Sequence, residues 1–231
     1  VRMSQKRVAV FGLGSMGVGM ARALLRAGHV VWGFDIRAEV TEAFAEESGN
    51  TEAFEDVASQ IDVVVLVVLN AVQAADIMFG ERGIVRQLQP GAGIMNCVTI
   101  SPEDARLAAS RCANSNISYL DAPISGGAIK AGEGALTIMA SGTAEAFQQS
   151  RACLDAMAMT VFELGDSAGQ GSLMKSVNQM LAGIHIAAMA EALSFGMKQG
   201  LDPQTFLDVI QKCAGTSWML ENRTPHIIEG D

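Results

Sequence analysis

The sequence predicts an α/β protein: a doubly wound parallel sheet, then a long inter-domain helix and the start of an all-α domain. Three observations carry that prediction. From about residue 6 to 165, short β-branched runs alternate with helical patterns, the signature of βαβ units around a parallel sheet. One of those runs, Val63 to Leu69, is continuously apolar, as a central strand covered by helices on both faces should be. After about Gly169 no strand candidate remains, and residues 170 to 199 keep helical periodicity without a proline. The division is placed between residues 1–168 and 169–231.

In chain order, "RVAVFGL", "HVVWGFD", "DVVVLVVL", "GAGIMNCV" and "ISYLDAP" read as strands, with helices at about 15–27, 38–47, 71–79 and 102–114. Ser101 suits the N-cap of the last of these, with Pro102 in its first turn and Glu103 and Asp104 near its positive end. The long helix is apolar around most of its circumference, which predicts burial on several sides. Gly200 offers its stop, and Asp202-Pro203 reads as the N-cap and first position of the next helix.

"VAVFGLGSMGVGMARALLRAG" places Gly12-x-Gly14-x-x-Gly17 directly after a strand and at the opening of a helix. Gly12 permits the tight turn, Gly14 lets the backbone approach a pyrophosphate, and Gly17 allows close helix–strand packing. The free N–H groups and positive end of the helix suit the phosphates. Asp35 ends the next strand about twenty residues on, which completes a Rossmann-type dinucleotide site. Phe11, Gly12, Leu13, Gly14, Ser15, Met16 and Gly17 are therefore assigned to the cofactor. A carboxylate at Asp35 accepts ribose hydroxyls and repels a 2′-phosphate, so NAD is favoured over NADP. Arg37 has two readings, as a holder of a 2′-phosphate or as a solvated or adenine-stacking side chain.

Bulk properties exclude other classes. With 49% apolar and 18% charged residues an ordinary core is expected and disorder is not. A net charge of -9 and pI near 4.8, without a Lys/Arg cluster, argue against nucleic acid and against an anionic membrane surface. Cys97, Cys112, Cys153 and Cys213 lie far apart with no C-x-x-C, so reduced thiols are expected rather than a disulfide framework or a metal site. The chain enters a strand-like run within a few residues, with no signal-peptide pattern, and the run 63–69 is too short to span a bilayer. A cytoplasmic location is expected.

Two further stretches bear on chemistry. "DAPISGGAIKAGEGALTIMASG" (121–142) is too glycine-rich for a helix and reads as a strand, a turn and a β-hairpin. Its alternative reading makes Ser125 and the N–H groups of Gly126 and Gly127 an anion-binding turn for a substrate carboxylate. In "GQGSLMKSVNQML" (169–181), Lys175 is the only charged side chain between Ser172 and Ala190. At 100° per residue Ser172, Asn178 and Gln179 fall beside it, forming one polar patch on an apolar helix. A buried lysine loses its charge readily and can accept the proton of a substrate hydroxyl. The other reading is a lysine reaching from the helix end to water.

"FGLGSMGVGMA", the 121–142 stretch and "GSLMKSVNQ", in that order and spacing, resemble the β-hydroxyacid dehydrogenase family, the 3-hydroxyisobutyrate dehydrogenase-like proteins, over essentially the whole chain. "VVLNAVQ" (67–73) and "AGTSWMLENRTPHIIEGD" (214–231) look most like its L-threonate branch, whose members oxidise four-carbon sugar acids with NAD. The resemblance implies Lys175 as the proton-transfer residue, with Asn178 and Gln179 in the catalytic group. It implies Ser125, Gly126 and Gly127 as the carboxylate turn, Thr99 beside the nicotinamide, and Leu69 and Asn70 along the cofactor. It also implies a homodimer or homotetramer through the helical domain, a small carboxylate substrate and no metal.

Three departures stand out. Leu69-Asn70 replaces the family's common Leu-Pro, Val98-Thr99 replaces a Ser-Thr pair, and Gln179 stands where Asn is frequent. Relatives continue past the position of Asp231 with further helices, including a Lys-Asp-Leu segment beside the cofactor. The resemblance thus implies that these 231 residues bind NAD but turn over poorly unless partner chains complete the site. Two alternatives remain, an NADPH-dependent glyoxylate or succinic semialdehyde reductase and a non-catalytic NAD-binding protein. Imine reduction fits less well, because that group usually replaces the lysine.

Overall fold

A computed structural model of the chain describes residues 5–48 and 50–230. The chain divides into two compact units, 1–175 and 176–231.

The first unit opens with β1 (Arg7–Phe11), α1 (Gly17–Arg26), β2 (Val30–Phe34), α2 (Ala38–Ser48), α3 (Phe54–Val57), β3 (Val63–Leu66), α4 (Ala71–Phe79), β4 (Gly93–Asn96), α5 (Pro102–Ala113) and β5 (Ser118–Asp121). The five strands form a parallel sheet in the order β2-β1-β3-β4-β5. Alternate side chains feed two cores, which is what a sheet buried on both faces requires. Val8, Val10, Val63, Val65, Met95 and Leu120 lie in one core with Met20 and Leu24 of α1. Ala9, Trp32, Val64, Leu66, Ile94 and Tyr119 lie in the other with Ala74 of α4 and Ala105 of α5. Ser101 caps α5 as expected, its hydroxyl accepting the Asp104 amide at 3.0 Å.

The region 121–163 departs from the expectation. After β6 (Ile124–Ser125) the chain forms α6 (Gly127–Glu133), although the glycines argued against a helix there. Three of those glycines sit where glycine is wanted: Gly126 and Gly127 enter α6 at φ +140° and +81°, and Gly134 leaves it at +72°. β7 (Leu136–Ala140) then pairs antiparallel with β6, so the expected hairpin exists with a helix inserted in its connection. α7 (Ala144–Met157) and β8 (Ala158–Glu163), read from neither pattern nor motif, complete a second sheet in the order β6-β7-β8. Met157 and Leu154 of α7 fill the same core as α1.

α8 (Gln170–Lys198) begins in the first unit and continues into the second, which adds α9 (Pro203–Ile210) and α10 (Trp218–Glu229). Asp202 caps α9 through the Thr205 amide at 2.8 Å. The small core of this unit joins Met189 and Leu193 of α8 to Phe206, Leu207 and Leu220. Burial of α8 on several sides is not found: Leu173, Met174, Val177, Met180, Leu181, Ile184 and Ile186 are exposed. Few elements of this chain pack on it, so its apolar surface stays open. By length and composition α8 is also apolar enough to cross a membrane, a criterion that the run 63–69 fails. Its first turn, however, is bonded to a buried carboxylate, which ties that end of the helix to protein.

Candidate active site

The glycine turn, Asp35, Leu69 with Asn70, and Thr99 follow β1, β2, β3 and β4 in turn, so all leave the parallel sheet at the carboxyl ends of its strands. Those ends are where open α/β sheets bind ligands, at the point where strand order reverses, here between β1 and β3.

The glycine turn after β1 is fixed by backbone crowding. A Cβ on Gly12, whose φ is +94°, would lie 2.3 Å from the Val67 carbonyl oxygen, and one on Gly17 only 1.8 Å from that of Gly12. Gly14 differs: a Cβ there would meet nothing within 4 Å. The chain itself has no need of glycine at 14, whereas a ligand drawn against the backbone does. The N–H groups of Gly14, Ser15 and Met16 have no acceptor among the described residues. Unpaired amides at the start of α1, bordering open space, fit the pyrophosphate of a dinucleotide. Side chains take little part: Leu13 is buried, and the Phe11 ring stacks on Phe34 at 4.9 Å and meets Phe54 edge-on.

Asp35 stands at the end of β2. Its Oδ2 accepts the Leu13 amide at 2.8 Å, and its Oδ1 accepts the Arg37 amide and Nε, each at 3.0 Å. Burial pushes this carboxyl up, but the Arg37 guanidinium and the two amides outweigh it and hold the group below the usual carboxylate range. Arg37 is paired with Asp35 and its side chain stays half in solvent, in keeping with the solvated reading.

Beyond β3, Leu69 is exposed and Asn70 caps α4. The Asn70 side chain accepts the Gln73 amide, and the Gln73 side chain accepts the Leu69 amide, each at 3.0 Å. This reciprocal cap explains an Asn-x-x-Gln sequence where proline could offer no such acceptor. Beyond β4, Thr99 is exposed beside the buried Val98. The turn is held by Asn96, whose Oδ1 accepts the Val98 amide at 3.2 Å while its Nδ2 donates to the Tyr119 hydroxyl at 2.7 Å.

Ser125, which ends β6, and Gly126 are half-buried and Gly127, which opens α6, is exposed. Lys175 lies in the second turn of α8 and is only 8% exposed. No carboxylate or other acceptor pairs with its amine among the described residues. Burial pushes the amine down from the ordinary lysine range.

The single polar patch expected around Lys175 is divided. Ser172 is fully buried and its hydroxyl donates to the Asp121 carboxylate at 2.6 Å. Asn178 and Gln179 lie further along the same helix, in the second unit, with the Asn178 Nδ2 donating to the Gln179 Oε1 at 3.3 Å. Asp121 was missed in the sequence. Its signal was there: a lone acid ending the otherwise uncharged strand "ISYLD", where a buried charge must find several donors. Its carboxylate accepts the amides of Gly169 and Ser172 at 2.9 Å and the hydroxyl of Ser141 at 3.2 Å. Among the described residues no group of three or more His, Cys, Asp or Glu could hold a metal ion.

An open parallel sheet with this glycine turn, its unpaired amides and an acid ending the second strand defines a dinucleotide-binding α/β protein. Comparison with known proteins narrows the class. Residues 7–165 match the NAD-binding domain of 6-phosphogluconate dehydrogenase, and residues 169–231 match the NAD-binding segment of NADP-dependent 3-hydroxyisobutyrate dehydrogenase. The L-threonate dehydrogenase of Cupriavidus necator is 44% identical over 98% of this chain and 76% of its own length. The 3-hydroxyisobutyrate dehydrogenase of Pseudomonas aeruginosa is 34% identical over 94% of this chain and 73% of its own. The crystal structure of a 3-hydroxyisobutyrate dehydrogenase from Salmonella typhimurium superposes with a TM-score of 0.92 at 39% identity, covering 98% of this chain and 80% of that one. The chain belongs to the β-hydroxyacid dehydrogenase family, in its L-threonate branch. It is a hydroxyacid dehydrogenase, an oxidoreductase acting on CH–OH groups with a nicotinamide dinucleotide.

Proposed function

We propose that the protein oxidises a small sugar acid of the L-threonate type with NAD, Lys175 accepting the hydroxyl proton. The observation that carries this reading is a lysine amine that is buried, has no acid partner among the described residues and lies one turn from the anchored start of α8. A neutral amine has a lone pair for the substrate O–H, and burial favours the neutral form. When bound, the nicotinamide supplies the acceptor for the hydride on the same carbon. The substrate carbon would give up its hydrogen with the C–H electron pair, as hydride, to that acceptor while the O–H proton passes to the Lys175 amine, leaving C=O. Proton transfer of this kind is worth roughly 10²–10⁴ in rate.

The remaining residues are assigned by what each offers. The backbone of Phe11 to Gly17 holds the pyrophosphate, and Asp35, kept charged by Arg37, receives the ribose hydroxyls. Leu69, Asn70 and Thr99 border the cofactor at the ends of β3 and β4. Ser125, Gly126 and Gly127 bind the substrate carboxylate, and Asn178 and Gln179 orient its hydroxyls. NAD is preferred because a carboxylate, rather than a free guanidinium, occupies the end of β2. The exposed apolar residues of α8 support a homodimer or homotetramer, and a cytoplasmic enzyme is the matching location.

The test is NADH and NADPH formation across a panel of C3–C5 hydroxy acids. The expected result is the highest kcat/KM for L-threonate with NAD. A preference for NADPH with glyoxylate or succinic semialdehyde as oxidant would instead establish a reductase, and dinucleotide binding without any turnover would establish a binding protein.

A further inference from the structure

We propose that Asp121 is a positioning residue for Lys175: its carboxylate pins the first turn of α8 to the ends of β5 and β7, and so sets where the lysine stands. The inference rests on the reading of Lys175 as the proton acceptor, and deepens it.

The Asp121 side chain is fully buried, and its two oxygens accept four hydrogen bonds. Two come from the amides of Gly169 and Ser172, at the helix start, where unpaired N–H groups and the dipole favour an anion. A third comes from the Ser172 hydroxyl at 2.6 Å, the shortest of the set. The fourth, from the Ser141 hydroxyl, extends the anchor, because Ser141 Oγ in turn accepts the Gly171 amide at 3.0 Å. The amides of residues 169, 171 and 172 are thus all fixed by one acid and one serine from two different sheets. The backbones of those two residues are also bridged, Asp121 to Ser141 in both directions at 3.0 and 2.8 Å.

Crowding removes the remaining freedom. A Cβ on Gly171 would lie 2.3 Å from the Met139 carbonyl oxygen, so the helix start is pressed onto the end of β7. Capping a helix needs no buried carboxylate; a serine or threonine at the surface does it without the desolvation cost. What the buried acid adds is a fixed place for this particular turn, and Lys175 stands on the same helix face as Ser172, three residues on. A reacting group displaced by about 1 Å loses on the order of a hundredfold in rate.

The experiment compares D121A, D121N, S172A and K175M in the intact chain. It measures kcat and KM for NAD with L-threonate, and amide exchange at Gly169 and Ser172 in the free protein. D121A is expected to lower kcat about a hundredfold, to leave the KM for NAD within about twofold of wild type, and to speed exchange at both amides. D121N keeps an oxygen for those amides and is expected to recover most of the loss. S172A, which removes the 2.6 Å bond and leaves the amide bonds of residues 169 and 172 in place, should show a smaller fall in kcat with the same KM, and it decides the matter if D121A does not fold. K175M inactive with D121A and S172A at wild-type kcat would overturn the positioning role alone. Wild-type kcat in K175M would overturn the reading of Lys175, and the inference with it. A raised KM for NAD at constant kcat would place Asp121 with the cofactor instead.

Discussion

The Asp35 carboxylate accepts the Leu13 amide at 2.8 Å, so the acid at the end of β2 and the glycine turn after β1 are one structural unit. Cofactor choice and turn geometry are coupled through that bond. Asp35→Ala is expected to weaken NAD at least about tenfold, a loss of roughly 1.4 kcal/mol, and to erase the preference over NADP. The check is titration with both dinucleotides. The acid's low pKa adds a stability signature. A carboxylate depressed below 3.8 contributes stability above that pH and loses it as pH falls through the folded value. The Tm advantage of wild type over Asp35→Asn should therefore be constant near neutrality and shrink only in the acid range.

Gly12 and Gly14 make opposite demands on the fold. Alanine at 12 would push a Cβ into the Val67 carbonyl from a positive φ, a strain on the order of 1–3 kcal/mol. Alanine at 14 meets open space within the chain. Gly12→Ala is expected to lower Tm, whereas Gly14→Ala keeps Tm and loses dinucleotide affinity. Calorimetry with and without NAD separates the two.

Ser125 is assigned to the substrate and not to the cofactor. Ser125→Ala should raise KM for the hydroxy acid while leaving NAD affinity within about twofold, a loss of uniform binding in kinetic terms. Gly127→Ala should do the same with a fall in stability, because φ is +81° at that position.

Burial of Lys175 costs the fold stability while its amine is charged. Lys175→Met is expected to raise Tm, by a gain on the order of 0.5–2 kcal/mol. With the folded pKa below 10.5, the unfolded chain binds more protons across the interval between the two values, so wild-type stability rises with pH there. The advantage of the Met variant should accordingly be full below the folded pKa and fade between that value and 10.5.

The parallel sheet was readable because each strand carries its own pattern. Val63 to Leu66 are apolar on both sides and are buried on both sides. The glycine turn was readable because Gly12 and Gly17 answer to the backbone, and Ser101 and Asp202 because caps are local. In the 121–163 region the hairpin of β6 and β7 was readable but α6 was not, since glycine counts against a helix interior but says nothing when φ is positive at the ends, as at Gly126 and Gly134. β8, in "AMTVFE", is mostly exposed and shows no clean alternation of burial, so it gives no period to detect. Ser172 looked like a partner for Lys175 because helical angles group residues without saying what lies opposite. Asp121, fifty-one positions away in sequence, takes its hydroxyl. The environment of α8 was misjudged for a related reason: an apolar circumference tells how much surface wants cover, not which chain supplies it.

The rate of NAD reduction by L-threonate in Lys175→Ala, set beside its NAD affinity and followed across pH, tests the proposed chemistry most directly. Wild-type activity should rise with pH as the amine loses its proton, with a midpoint below 10.5. The variant is expected to bind NAD normally, to lose roughly 10²–10⁴ in kcat and to lose that pH limb. Wild-type kcat in the variant, or an unchanged pH limb, would remove Lys175 from the proton transfer.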